Sequence, residues 1–82
     1  IKYNAGILFW EKIELPNGLL AIVFILSNNH LILYEIPSLK NIFDIELLTK
    51  RKITSFTFEP KNMSFFIADE DCNLLIYSLD NI

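Results

Sequence analysis

The strongest constraint on this chain is that it repeats itself. Sliding the 82-residue sequence along itself by 43 positions puts Ile13 and Leu15 on Phe56 and Phe58, and Leu20 on Met63. The same shift puts Ile22, Val23 and Phe24 on Phe65, Phe66 and Ile67, Leu31-Ile32-Leu33-Tyr34 on Leu74-Leu75-Ile76-Tyr77, and Ile36 on Leu79. Such a chain is built from copies of one supersecondary unit, and each copy buries its apolar faces against a neighbour.

The repeated segments read as β-strands. Helical periodicity is weak throughout, while short runs rich in Ile, Val, Phe, Tyr and Leu alternate with clusters of Pro, Gly, Asn and Asp, the pattern of strands and turns. Seven strands follow: Lys12 to Leu15, Leu19 to Leu26, Leu31 to Ile36, Ile42 to Leu47, Ile53 to Phe58, Ser64 to Ala68 and Leu74 to Leu79. Ser27, Asn28 and Asn29 suit a tight hairpin, since Asn tolerates the positive φ such turns demand. Four strands per unit at a spacing of about 40–45 residues is the arrangement of β-propeller blades. The expected fold is all-β, with antiparallel sheets forming about two blades of a β-propeller: one over residues 12–48, and an incomplete one over 53–82.

Side-chain alternation agrees with that expectation. Leu31 and Leu33 point one way and Ile32, Tyr34 and Ile36 the other, so the third strand is apolar on both faces. The fourth alternates Phe43, Ile45 and Leu47 with Asp44 and Glu46, as an outermost strand half in water does. A small antiparallel sandwich or open sheet that folds alone is the alternative.

Composition bears on what surrounds the chain. A chain of this length buries only roughly 60–65% of its unfolded surface. Yet 52% of its residues are hydrophobic and 13% aromatic, more than a self-contained domain of this size needs to hide. With Ile1 and Ile82 at its ends, it reads as a segment cut from a longer propeller. A net charge of −3 argues against a nucleic-acid partner, which requires clustered Lys and Arg. The single cysteine, Cys72, excludes an internal disulfide and a cysteine-based zinc site, and fits a reducing compartment. The longest apolar run, Leu19 to Leu26, falls short of the about 20 residues of a membrane helix and has no basic segment before it, so a soluble protein is expected.

Few side chains carry candidate chemistry. His30 is the lone histidine, at a hairpin edge without a second ligand, and reads as a turn or strand-edge residue. Asp69, Glu70 and Asp71 could offer oxygens to a hard cation, but they lack the Gly and distal Glu of a calcium loop and read as a solvated hairpin tip. Lys50, Arg51 and Lys52 form the one basic run, on the loop between the fourth and fifth strands. It is a candidate for anionic ligands or phosphoinositide headgroups, at about 1 kcal/mol per basic residue, against the commoner solvated loop. Cys72 follows three acids with no cation beside it, a poor setting for a nucleophile. Trp10, after Leu8 and Phe9, is a candidate interface anchor, although such clusters more often pack in a core. With only Gly6 and Gly18, there is no glycine-rich phosphate loop. No catalytic set, metal site or cofactor is expected.

The stretch LLAIVFILSNNHLILYEIPSLKNIFDIELLTKRKITSFTF, Leu19 to Phe58, resembles the citron homology (CNH) domain, a propeller-type module. The likeness lies in an apolar strand, a short polar hairpin, a strand ending near Tyr34, the Pro37-Ser38-Leu39 turn and a Lys-rich step into the next strand. It looks most like the version in vacuolar and endosomal tethering subunits, which bind small GTPases and help membranes dock; citron-type kinases and Rho exchange factors carry similar domains. Asp69, Glu70, Asp71 and Cys72 depart from the basic hairpin expected before the last strand, which leaves WD-repeat-like propellers open. Against those, Tyr34-Glu35 and Tyr77-Ser78 stand where a WD repeat would place Trp-Asp. The resemblance implies a non-enzymatic protein-protein interaction scaffold, cytoplasmic or peripheral on endosomal or vacuolar membranes. Its partners would be a small GTPase or tethering-complex subunits, and an isolated piece would self-associate through strand edges such as Ile42 to Leu47 and Leu74 to Leu79.

Overall fold

In a computed structural model that describes residues 5–79, each apolar run becomes a strand and each polar cluster a turn. The strands are β1 (Ile7–Glu14), β2 (Leu20–Leu26), β3 (His30–Ile36), β4 (Asn41–Glu46), β5 (Ile53–Glu59), β6 (Ser64–Asp69) and β7 (Leu74–Ser78). They form two antiparallel meanders, a four-stranded sheet ordered β1-β2-β3-β4 and a three-stranded sheet ordered β5-β6-β7. The expected bounds hold within a residue or so, with one correction. The first strand begins at Ile7 rather than Lys12, so Leu8, Phe9 and Trp10 belong to the sheet. Strand pairing with Phe24 and Ile25 draws them in.

The repeat extends to hydrogen-bond register. In the first sheet Ile22 pairs with Tyr34 and Phe24 with Ile32; 43 residues on, Phe65 pairs with Tyr77 and Ile67 with Leu75. The hairpin turns repeat as well. The Asn29 N–H donates to the Leu26 carbonyl at 3.0 Å, and the Cys72 N–H to the Asp69 carbonyl at 3.1 Å. Asn29 and Cys72 both lie in the left-handed region, at φ of 64° and 66°.

The first strands repeat at a different interval. A bulge lies between Ile7 and Phe9 in β1 and between Ile53 and Ser55 in β5, which is 46 residues later. The Ser27 N–H donates to the Gly6 carbonyl, and the Glu70 N–H to the Lys52 carbonyl, in the same relation. Ile13 is therefore the counterpart of Glu59, not of Phe56. The cause is the connection around Pro16-Asn17-Gly18: seven residues separate the paired Ile13 and Ala21, against four between the equivalent pair Glu59 and Ser64.

Residues paired across a ladder share a sheet face. The first sheet turns Ile13, Ala21, Val23, Ile25, Leu31 and Leu33 inward, and the second turns Ile53, Phe65 and Ile67 toward them, with Phe56, Phe58, Leu75 and Tyr77 around the rim. Phe65, Val23, Ile25, Leu31 and Leu33 are wholly buried. Each such aliphatic side chain contributes about 1.5–3 kcal/mol by leaving water. The two backbones approach most closely at β1 and β5, and the shortest dimension of the molecule is 17 Å, as for two stacked sheets.

The two inner faces are not equivalent faces. The register counterparts of inward Val23, Leu31 and Leu33 are Phe66, Leu74 and Ile76, which point outward from the second sheet. The counterparts of inward Phe65 and Ile67 are Ile22 and Phe24, on the outer side of the first. The sheets thus stack front to back, each in the same orientation, rather than front to front.

Candidate functional site

The most elaborate polar structure ties the two sheets together at one end. Asn29, in the β2–β3 turn, donates its side-chain amide to the carbonyls of Thr49 at 2.9 Å and Arg51 at 2.7 Å, clamping the connection between the sheets. The Thr49 hydroxyl donates to an Asp69 carboxylate oxygen at 2.6 Å and accepts the Arg51 N–H at 3.0 Å. Asp69 also accepts the backbone N–H groups of Asp71 and Asn73 and the Asn73 side-chain amide. Asn29, Thr49 and Asp69 are all buried.

Those donors hold the Asp69 carboxyl at a pKa of about 2, down from 3.8: the Thr49 hydroxyl and Asn73 amide act most strongly, burial opposes them, and the two backbone N–H groups add to the lowering. The sequence reading of Asp69, Glu70 and Asp71 as a solvated tip is therefore corrected at Asp69. Only Glu70 and Asp71 are exposed. Nothing in the sequence marked Thr49.

Lys50, Arg51 and Lys52 stand on this same connection and diverge from one another. Arg51 places Nη2 at 3.1 Å from Glu70 and Nε at 2.9 Å from Asp71. Lys50 pairs with Glu46, whose carboxyl titrates lower than usual because of that hydrogen bond and charge. Two of the three cations thus face carboxylates of their own chain. His30 opens β3, where Nδ1 lies 2.8 Å from Asp44 and Nε2 3.8 Å from Glu46 across the β3–β4 ladder. Among the described residues no group of three or more His, Cys, Asp or Glu side chains converges as a metal would require, and Cys72 is exposed.

Apolar surface is the other prominent feature. Trp10 pairs with Phe24 on the outer face of the first sheet and is 65% exposed, so the packing role expected for the Leu8-Phe9-Trp10 cluster falls to Leu8 and Phe9 instead. On the outer face of the second sheet Leu74 and Ile76 are 62% and 59% exposed. A cleft of about 220 Å³ is lined by Leu31, Phe43, Ile45, Phe65, Ile76, Tyr77 and Ser78. Among the described residues no helix is long and apolar enough to cross a membrane. Comparison with family models, curated proteins and solved structures finds no match to this chain.

Proposed function

We propose that this chain is part of a non-enzymatic protein-interaction scaffold of the β-propeller type. The observation that carries the reading is the front-to-back stacking of two sheets with the same register and the same hairpin turn. Propellers repeat radially in this way, each sheet covering the back of the next. The close approach at the first strand of each sheet agrees, since the innermost strands of neighbouring blades converge on the axis. The resemblance of Leu19 to Phe58 to citron homology domains supports a parent that is a tethering or small-GTPase signalling protein, cytoplasmic or peripheral on endosomal or vacuolar membranes. A generic WD-repeat-like scaffold is the weaker form of the same reading. Headgroup recognition by Lys50, Arg51 and Lys52 has less support, because Arg51 and Lys50 are engaged by Glu70, Asp71 and Glu46.

The test is titration of the immobilised chain with endosomal and Rho-class small GTPases, each loaded with GDP or a non-hydrolysable GTP analogue. Saturable binding that differs between nucleotide states is the expected result. No binding in either state removes the trafficking role. In parallel, flotation with vesicles containing anionic lipid should leave the chain unbound, and binding abolished by reversing charge at Lys50, Arg51 and Lys52 would favour the membrane reading.

A further inference from the structure

The β1–β2 turn holds the one Asn-Gly pair in the sequence, Asn17-Gly18; every other asparagine precedes a residue with a side chain. The pair matters because the side-chain carbonyl of an asparagine can be attacked by the backbone nitrogen of the next residue, and a missing Cβ there removes the main steric barrier. The turn sets the geometry of both groups. The Gly18 N–H donates to the Leu15 carbonyl at 2.9 Å and the Leu15 N–H to the Leu19 carbonyl at 2.7 Å, the closure of a three-residue hairpin loop. The Asn17 side-chain oxygen accepts the Leu19 N–H at 3.1 Å, which polarises the carbonyl toward attack. Gly18 lies at φ of 84°, where an added Cβ would meet nothing within 4 Å, and Asn17 and Gly18 are both exposed, so water reaches the pair. Two other asparagines are held differently. Asn29 is buried and donates its amide nitrogen to the Thr49 and Arg51 carbonyls, and Asn73 donates its own to Asp69, so there the group that would have to leave is fastened.

We infer that Asn17 is a site of spontaneous deamidation, gated by opening of the β1–β2 turn. The Gly18 nitrogen loses its proton to solvent and attacks Asn17 Cγ; the Cγ–Nδ2 bond breaks, ammonia leaves and a five-membered succinimide closes. Water then adds to either ring carbonyl and reopens the ring as aspartate or as isoaspartate, in which the main chain runs through the side-chain carbons. One water is consumed and one ammonia released. In the closed turn the Gly18 proton is held by the Leu15 carbonyl, and the ring, having no N–H, cannot keep that bond. Opening of the turn therefore precedes attack. The product adds one negative charge to a net −3 and, as isoaspartate, one methylene to a loop whose length fixes the Leu15–Leu19 closure. Asn17 also lines a cleft of about 250 Å³ with Leu15, Pro16, Leu33, Ile42 and Leu79, so the new carboxylate stands against aliphatic surface. None of this depends on the propeller reading or the trafficking role.

The experiment is incubation of the purified chain at neutral pH and body temperature, in buffer and in urea, with tryptic peptides followed by mass spectrometry. One peptide, Ile13–Lys40, carries Asn17, Asn28 and Asn29, so fragmentation ranks the three within a single measurement. In the native chain Asn17 should convert at least about tenfold faster than Asn28 or Asn29. It should yield isoaspartate, labelled by an isoaspartyl methyltransferase, and convert several-fold faster in urea, where the turn is open. Asn17→Ser should lose the label while far-UV circular dichroism shows its sheets intact. The isoaspartate fraction, isolated by chromatography, should unfold at lower urea than Asn17→Asp, which has the charge without the methylene. Conversion at Asn17 no faster than at Asn28 or Asn29 overturns the inference, as does aspartate formed without isoaspartate, which is direct hydrolysis. Equal rates in buffer and urea overturn the gate, and an isoaspartate fraction as stable as Asn17→Asp overturns the link between loop length and hairpin closure.

Discussion

Leu39 sits at φ of 60° with its side chain 52% exposed, and Cys72 at φ of 66° in the second hairpin turn. The left-handed region costs a side chain with a Cβ roughly 1–2 kcal/mol, and Asn reduces that cost by bonding locally. Asn29, the counterpart of Cys72, already has that residue type at φ of 64°. Leu39→Asn and Cys72→Asn should therefore each raise stability by about 0.5–1 kcal/mol, read from urea midpoints. The control is Leu48→Asn, at a residue 82% exposed and outside the positive-φ set, which should change little. Equal effects at all three positions would show that replacing an exposed apolar side chain by a polar one, and not relief of backbone strain, is responsible. Asp69 sets a pH dependence at the same scale. Its folded pKa of about 2 lies below the ordinary 3.8, so the folded state favours the carboxylate. The resulting stabilisation is complete above 3.8 and is lost as pH falls through about 2. Urea midpoints of wild type and Asp69→Asn should differ at pH 6 and converge toward pH 2. A gap that stays constant over that range would remove Asp69 from the acid response.

At the scale of strands, much was legible because two-residue alternation and turn residues are local signals. The β2–β3 and β6–β7 hairpins were aligned correctly at 43 residues, since both turns have the same length and each third strand ends near a Tyr. The first strands were misaligned for a physical reason. Matching Ile13 with Phe56 pairs apolar residue with apolar residue, but sheets stacked front to back bury opposite faces, so the true counterpart of a core residue in one sheet is an outward residue in the next. Ile13 with Glu59 and Phe9 with Ser55 are such pairs. The polar tie was illegible because it joins three segments distant in sequence, through Asn29, Thr49 and Asp69. The same inversion of faces yields a prediction within β6. Phe65 is wholly buried, with ring centroids 5.9 Å from Phe56 and 5.0 Å from Phe58, whereas Phe66 points outward and is half-buried. Phe65→Ala should cost about 3–5 kcal/mol. Phe66→Ala, removing the same atoms from the next residue, should cost less than about half as much, and equal losses in chemical denaturation would contradict the assignment of faces.

For the molecule as a whole, the question is whether two sheets of so short a chain unfold together. Among the described residues the largest wholly buried side chains, Val23, Leu33 and Phe65 among them, belong to one cluster between the sheets. Polar ties reinforce that cluster at separate points. Asn29 of the first sheet holds the carbonyls of Thr49 and Arg51, Thr49 binds Asp69 of the second, and the Leu48 N–H donates to the Tyr77 hydroxyl at 3.0 Å. Separating the sheets would expose the cluster and strip Asp69 of the Thr49 hydroxyl at once, so a state with one sheet intact has little to sustain it. Unfolding should accordingly be a single transition. Trp10 fluorescence reports the first sheet alone, and far-UV circular dichroism reports both, so their urea midpoints should coincide. Asn29→Gly sharpens the test because Gly keeps the positive φ of the turn and removes only the two side-chain hydrogen bonds. It should lower both midpoints together, by an amount corresponding to about 1–3 kcal/mol. Phe65→Leu, a substitution confined to the second sheet, should likewise move the Trp10 transition in the first. A Trp10 midpoint that ignores Phe65, or a circular dichroism trace that falls in two steps, would mean that the sheets are separate units and that the cluster between them is too weak to couple their folding.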